Sequence, residues 1–353
     1  MSVPSRSLRE NRPGAGPAPP PEPTPSPIFL EKLLLGRKLI IAGHLNPDGD
    51  SVGSSLALAL ALRNMGREVS ISLNGIVSGS LDSLTRPKRL FKEVGYKELQ
   101  DYDRLILVDC QSPYRVWPDS ASPGDAPPIP LVAVDHHQTG QDPALYEAAF
   151  IDPAASATAE LIFKVLKRLE TDFTPAIIEA LLAGLISDTG SFSQGNTTAE
   201  CLRQASELVS MGGDIERVNQ AIKQNYRLSR MRLMTKSLAS LRVHHGGRMA
   251  TMMVTDEMLD EAKSDLSETE GLVEYTLLLA GVRLGALIKV TGRGRTRVSL
   301  RSRPGIDVRD LARRLGGGGH QQAAAYLDDS PDPEAALRRL LSEAANLFDG
   351  ISS

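Results

Sequence analysis

"IIAGHLNPDGDSVGSSLALALAL", residues 40–62, decides how this chain folds. Its first residues are apolar on consecutive positions, as in a strand buried on both faces, and its last form an apolar run of helical length. Between them lie His44, Asp48 and Asp50, with only Leu, Asn, Pro and Gly around them. Asn-Pro-Asp-Gly is a good turn sequence in its own right, so the bend alone does not separate a turn from a ligand loop. The pattern then repeats. "REVSISLNG", "YDRLILVDC" and "IPLVAVDHH" read as further strands, and "TAELIFKVLKRL" and "TPAIIEALLAGLI" as helices. Buried strands alternating with helices predict an α/β class, with a mostly parallel sheet covered on both faces.

Working outward, residues 1–27 include "RPGAGPAPPPEPTPSP" and read as a disordered, proline-rich tail. The first α/β domain is expected over 28–212. A helical linker follows over 213–245, around "RVNQAIKQNYRLSRMRLMTKSLASL". A smaller α/β domain is expected over 246–349, where the "QQAAA" after four glycines reads as the start of a short helix. At 353 residues, 41% hydrophobic, the chain is long enough for two cores without disulfides. A net charge of -3 gives no global attraction to nucleic acid, so any anion site must be local. Cys110 and Cys201 lack the paired spacing of a zinc ribbon or redox motif. No apolar run reaches the roughly 18 residues of a membrane helix, and the first residues lack an apolar signal core. The expected setting is the cytoplasm, with no membrane partner.

The strand ends carry the chemistry. The first expected strand runs into His44, Asp48 and Asp50, another stops on Asp109, and another on Asp135, His136 and His137. The helix "ALLAGLI" stops near Asp188. In an open parallel sheet ligands bind beyond the carboxyl ends of the strands, so four segments deliver Asp or His to one rim. A single Asp after a strand is often a cap or turn residue, but coincidence across four segments is hard to dismiss. Carboxylates crowded on one rim repel unless cations neutralise them. Nitrogen and carboxylate donors without thiolate favour manganese, with magnesium, cobalt or zinc as substitutes. Five carboxylates and three imidazoles exceed one coordination sphere and fit two, as in two-metal phosphoryl-transfer sites.

"HLNPDGDSVGS", "LVDC", "VDHH" and "SDTGSF" resemble, in order, the motifs of the DHH phosphoesterase superfamily, and "GGGGHQQAAA" resembles the glycine-rich signature of its DHHA1 companion domain. The likeness spans about residues 28–345, and length and domain pairing most resemble the branch of oligoribonucleases that also dephosphorylate 3'-phosphoadenosine 5'-phosphate. The resemblance implies one ion on His44, Asp48 and Asp109, and a second on Asp50, Asp109, His136 and Asp188. It implies Asp135 as the group orienting a neighbouring histidine, and His137 as a donor to the substrate phosphate or leaving oxygen. It also implies that the active site lies in the interdomain cleft, where Gly317, Gly318, Gly319 and His320 hold substrate. Arg301 and Arg303 end a basic stretch that starts at Arg293 and contains no acid, and arginine forks suit phosphate. Gln321, Ala325, Ser193 and Gln194 depart from the family pattern, which bears on substrate preference more than on catalysis.

The expected activity is metal-dependent hydrolysis, by hydroxide attack on phosphorus, of very short RNA to mononucleotides and of 3'-phosphoadenosine 5'-phosphate to AMP. Duplex nucleic acid is not an expected partner, and an aromatic content of 4% argues against a long stacking platform. The competing readings are a single-strand exonuclease like RecJ, a linear or cyclic dinucleotide phosphodiesterase, and a non-enzymatic nucleotide sensor. The oligomeric state stays open, with a homodimer through the first domain as one option.

Overall fold

The computed structural model describes residues 23–348 apart from 76–83, 85–87, 123, 138–142, 224–225, 291–293 and 320. Most of the proline-rich segment, Arg293 and His320 therefore lie outside the described residues. In chain order the first domain contains α1 (Pro27–Leu34), β1 (Lys38–Ala42), α2 (Gly49–Asn64), β2 (Glu68–Ser72), β3 (Phe91–Lys92), β4 (Arg104–Val108) and α3 (Pro113–Val116). It continues with β5 (Leu131–Asp135), β6 (Ala148–Ile151), α4 (Thr158–Arg168), α5 (Pro175–Asp188) and α6 (Ala199–Ser210).

Among the described residues six strands pair in parallel in the order β3-β2-β1-β4-β5-β6. β1 sits inside this order because its apolar residues serve both faces. Leu39 and Ile41 join Val52 and Leu58 of α2 in the helical core, while Ile40 and Ala42 join Leu105, Leu107 and Trp117 on the other side. Each such fully buried aliphatic contributes about 1.5–3 kcal/mol. β3 and β6 are two and four residues long, too short to show in the apolar pattern. The strand order reverses between β1 and β4, which opens a crevice beyond their carboxyl ends.

α2 begins at Gly49, well before the apolar run that marks it in the sequence. Asp48 is its N-cap, with its side chain accepting from Asp50 N and Ser51 N. The expected ligand loop is thus shorter than read, and Asp50 belongs to the first helical turn. The start is hidden because Gly-Asp-Ser-Val-Gly carries little helical propensity; burial selects it instead. α2 and α5 approach backbone to backbone. A Cβ on Gly53 would lie 2.4 Å from the Ala180 carbonyl oxygen, and one on Gly184 would lie 2.7 Å from Asp50 Oδ1.

The chain then forms α7 (Ile215–Lys223), α8 (Leu228–Ala239), β7 (Arg242–His244), β8 (Met249–Val254), α9 (Asp256–Ala262), β9 (Leu284–Val290) and β10 (Thr296–Ser302). It ends with α10 (Val308–Arg314), β11 (Gly318–Gly319), β12 (Ala323–Asp328) and α11 (Pro333–Ala345). The expected linker is two helices with separate allegiances: Val218 and Ile222 of α7 join the first core, and Leu233 of α8 joins the second domain. Its last residues pair as β7 with β8. The second sheet runs β11-β12-β10-β9-β8-β7, with β8 and β9 parallel and the other pairs antiparallel.

One expectation is overturned here. The alanines after the four glycines are strand β12, paired to β10, and not a helix. Ala324, Tyr326 and Asp328 are buried in alternation, and this period of two outweighs the helical preference of alanine.

Candidate metal centre

The crevice beyond β1 and β4 gathers the acids and histidines of all four segments. Asp109 lies at its centre, just past β4, with its N–H still donating to Val134 O of β5. Its φ of +57° puts a non-glycine residue in the left-handed region, which turns the carboxylate out of the strand direction. Asp109 Oδ2 is 3.5 Å from His44 Nε2, and its Oδ1 is 3.7 Å from His136 Nε2. His44 Nε2 is 3.8 Å from Asp48 Oδ2, and His136 Nε2 is 3.1 Å from Asp188 Oδ2. Among the described residues three overlapping ligand groups therefore stand together: His44, Asp48 and Asp109 in one, Asp50, His136 and Asp188 in a second, and Asp109, His136 and His137 joining them. Within each, one donor atom per residue lies within 4.8 Å of the others.

Second contacts fix the donors. His44 Nδ1 meets Leu45 O at 3.0 Å and His136 Nδ1 meets Ala155 O at 3.2 Å. A carbonyl only accepts, so each Nδ1 carries the proton and Nε2 is left as the lone-pair donor facing the carboxylates. His137 Nδ1 lies 2.6 Å from Asp135 Oδ1, so Asp135 orients this ring. Gln111 Nε2 donates to His137 O at 2.8 Å and holds the same turn. Asp50 is fully buried and accepts from Ser54 Oγ, from Thr158 N at 2.6 Å and from Ala159 N at 3.0 Å. The Thr158 hydroxyl donates to Asp109 Oδ1 at 3.1 Å, so one residue at the start of α4 ties two carboxylates together.

The electrostatics call for cations. Burial, with Asp109 and Asp188 beside it, pushes the Asp50 carboxyl well up. Asp188 is pushed up to about 6, burial first, with Asp48 and Asp109 adding to it against the opposing pull of His136. Burial pulls both ligand histidines down, yet Asp109 and Asp48 outweigh it at His44, and Asp188, Asp109 and Asp50 outweigh it at His136, so both stand well above their ordinary value. Such a cluster is relieved when a divalent ion takes the place of the protons. Cys110, adjacent to Asp109, is pushed up to about 11 by burial and stays a thiol, which leaves only nitrogen and oxygen donors. The residues fit a hard or borderline divalent ion.

The chain matches the N-terminal domain model of the DHH family over residues 38–185 and the DHHA1 domain model over 258–348. It is 30% identical over 327 residues to the bifunctional oligoribonuclease and PAP phosphatase NrnA of Thermus thermophilus, covering 89% of this chain and 94% of that one. The chain belongs to the DHH phosphoesterase family. Like its relatives it is a hydrolase; DHH enzymes use divalent metals, and the Asp/His groups of this rim could hold such ions. A cyclic-di-AMP phosphodiesterase of Geobacillus thermodenitrificans, GdpP, is 26% identical over 339 residues, and the chain spans 48% of its length. The fold is shared with an exopolyphosphatase-related protein from Bacteroides fragilis, at a TM-score of 0.80 and 24% identity over 91% of this chain and 96% of that one.

The DHH triplet itself, Asp135, His136 and His137, thus divides its work: His136 faces Asp109 and Asp188, while His137 Nδ1 bonds Asp135 and also lies 3.4 Å from Asp109 Oδ1. Thr158 and the glycines Gly53 and Gly184 escaped the sequence reading. An isolated glycine inside an apolar helix is the signal that would have flagged the close approach of α2 and α5. The "DTGSF" segment is a left-handed turn, with Gly190, Ser191 and Phe192 at φ of +58°, +61° and +61°. Phe192 N donates to Thr189 Oγ1, which stabilises that turn just behind Asp188. Ser193, one of the departures, donates its hydroxyl to Gly190 O within it.

In the DHHA1 domain the expected substrate groups are placed less uniformly. Arg301 Nε bonds Glu274 Oε1 at 2.7 Å. Arg303 lies past the end of β10, and its guanidinium donates to Val282 O and Leu277 O. Gly317 and Gly319 are demanded by close packing against β12, since added Cβ atoms would lie 2.2 Å from Ala325 O and 2.5 Å from Ala323 O. A Cβ on Gly318 would meet open space. Among the described residues no helix is long and apolar enough to cross a membrane.

Proposed function

We propose that this DHH enzyme hydrolyses very short RNA to mononucleotides and 3'-phosphoadenosine 5'-phosphate to AMP, using two divalent ions, manganese first among them. The observation that carries the reading is the pair of ligand groups sharing the crevice around Asp109. His44 and Asp48 would hold one ion and Asp50, His136 and Asp188 the other, with Asp109 between them. When bound, the ions supply an acidified water and neutralise charge on the phosphoryl oxygens.

The chain's own residues do the rest. Thr158 holds the carboxylates of Asp50 and Asp109 at fixed separation, so the ion sites are preorganised. Asp135 keeps the proton of His137 on Nδ1 and orients the ring toward the phosphate or leaving oxygen. Arg301, the Gly317–Gly319 hairpin and His320 grip the substrate from the second domain. Arg303, clamped on two carbonyls, braces the chain behind Arg301. The similarity to the Thermus thermophilus enzyme, which covers nearly the whole of both chains, supports the substrate class.

A second reading, hydrolysis of a linear or cyclic dinucleotide, draws support from the similarity to cyclic-di-AMP phosphodiesterases. One manganese-supplemented assay separates the readings. Dinucleotide RNA, a ladder up to about 24 nucleotides, 3'-phosphoadenosine 5'-phosphate and cyclic-di-AMP are compared side by side. The proposal expects turnover of the dinucleotide and the bisphosphate; preference that rises with RNA length, or turnover of the cyclic dinucleotide alone, overturns it.

A further inference from the structure

The turn that follows Asp109 touches more of the rim than its length suggests. Residues 110–117 contain α3, and Gln111, Ser112 and Trp117 within them are buried. The Trp117 indole N–H donates to Val94 O at 2.8 Å and pins the far end of the turn. Arg115 O accepts from Leu45 N at 2.8 Å, next to His44 in the first ligand loop. At the start of the turn, Gln111 Nε2 donates to His137 O at 2.8 Å, in the loop after β5. One short turn is therefore bonded to the loop that carries His44 and to the loop that carries His137.

A further bond holds the glutamine itself. From just before β6, the Tyr146 hydroxyl donates to Gln111 O at 2.5 Å. The Tyr146 ring packs on the core that includes Val116 and Trp117. Burial first, then Cys110 and Asp135 nearby, push its phenol up, so the hydroxyl keeps its proton. A buried amide is costly without partners, and an apolar side chain of the same length would fill the space at no such cost. Gln111 is thus suited to its bond more than to its bulk. His137 sends its own N–H to Asp135 Oδ1 at 3.2 Å and its Nδ1 to the same oxygen at 2.6 Å. Those two bonds run within one loop, so they fix the ring to Asp135 but leave the pair free to move together. Gln111 supplies a bond from outside that loop, from the segment that also carries Asp109.

We propose that Gln111 and Tyr146 are positioning residues for His137. They brace its main chain against the turn that is bonded to the His44 loop, so the ring keeps a fixed place relative to the ligand groups. The proposal rests on the phosphoesterase reading above, in which His137 meets the phosphate or leaving oxygen, and it adds which side chains set that ring.

Two measurements on the full chain test this. In the first, with manganese and dinucleotide RNA, Gln111→Met keeps the length of the side chain and deletes the donor. It lowers kcat by about tenfold and leaves KM unchanged, as a misplaced reacting group does. Tyr146→Phe, which deletes one hydroxyl, gives a smaller loss of the same kind. In a His137→Ala background neither substitution lowers kcat further, because the ring they position is gone. An unchanged kcat in Gln111→Met, or the same loss with and without the His137 ring, overturns the proposal. The second measurement is NMR of the metal-free chain, isotopically labelled in the ring nitrogens of its six histidines. The His137 signals, identified by their loss in His137→Ala, shift in Gln111→Met and in Tyr146→Phe, while those of His244 and His245 stay in place. Unshifted His137 signals, or shifts spread over all six histidines, overturn the proposal. Because this arm involves no turnover, it decides whether the ring is positioned even if dinucleotide RNA is not hydrolysed, a result that would count against the proposed function alone.

Discussion

The rim of the first domain and the open sheet face of the second are electrostatic opposites built by different means. On the rim, Asp48, Asp50, Asp109 and Asp188 converge from two helix ends and one strand end, and backbone N–H groups at the starts of α2 and α4 fix the carboxylates of Asp48 and Asp50. On the sheet face, Lys289, Arg297 and Arg301 project from neighbouring strands, and few partners fix them. The rim is preorganised for cations and tolerates little change; the sheet face presents long, adjustable side chains. Substitutions on the rim should therefore abolish function, and substitutions on the sheet face should tune it.

The largest effect is expected at the centre of the rim. Asp109→Ala removes the carboxylate that faces both ligand groups, so turnover should fall by roughly a thousandfold or more. Metal content measured by elemental analysis should fall with it. Near-normal rates in this variant would mean that the two groups do not act together.

Next in size is Thr158→Val, which keeps the shape of the side chain and deletes the hydroxyl on Asp109. Losing such a supporting bond typically costs about 10–100-fold in metal affinity. Titration of the metal-free protein with manganese should show a loss in that range, and Thr158→Ser should restore most of it. Unchanged affinity in the valine variant would reduce Thr158 to a helix-start residue.

How much of this contrast was legible in the sequence differs between the two regions. The rim was readable because each ligand ends an apolar run, and the runs alternate with the period of a parallel sheet. What the sequence concealed there is backbone geometry: the positive φ at Asp109 and the glycine contacts of α2 with α5 leave no compositional trace. The sheet face was less readable. "QQAAA" looks helical by propensity, yet pairing with β10 makes Ala323–Asp328 a strand. Arg301 and Arg303 look equivalent by spacing, yet β10 ends between them and carbonyls hold Arg303. Where pairing partners lie far away in the chain, local pattern is a weak guide.

The glycine contacts give a prediction that separates stability from charge. Gly184→Ala places a methyl group 2.6 Å from Ala159 Cβ and 2.7 Å from Asp50 Oδ1. Overpacking of this kind costs typically about 1–3 kcal/mol, measurable by denaturant unfolding of the metal-free chain. If instead α2 and α5 part without loss of stability, manganese affinity alone should fall, because Asp50 moves with α2. No change in either would mean that this helix contact does not set the rim.

The smallest expected effect lies on the sheet face. Arg301 is bonded to Glu274, so its guanidinium is already oriented before any phosphate arrives. Arg301→Ala should raise KM for a dinucleotide by about tenfold, the scale of one charge-assisted hydrogen bond, with a smaller change in kcat. Metal content should stay at the parent level, since none of the rim residues depends on this side chain. Loss of metal in Arg301→Ala would break the division between a cation-holding rim and an anion-holding sheet, because one side chain would then serve both.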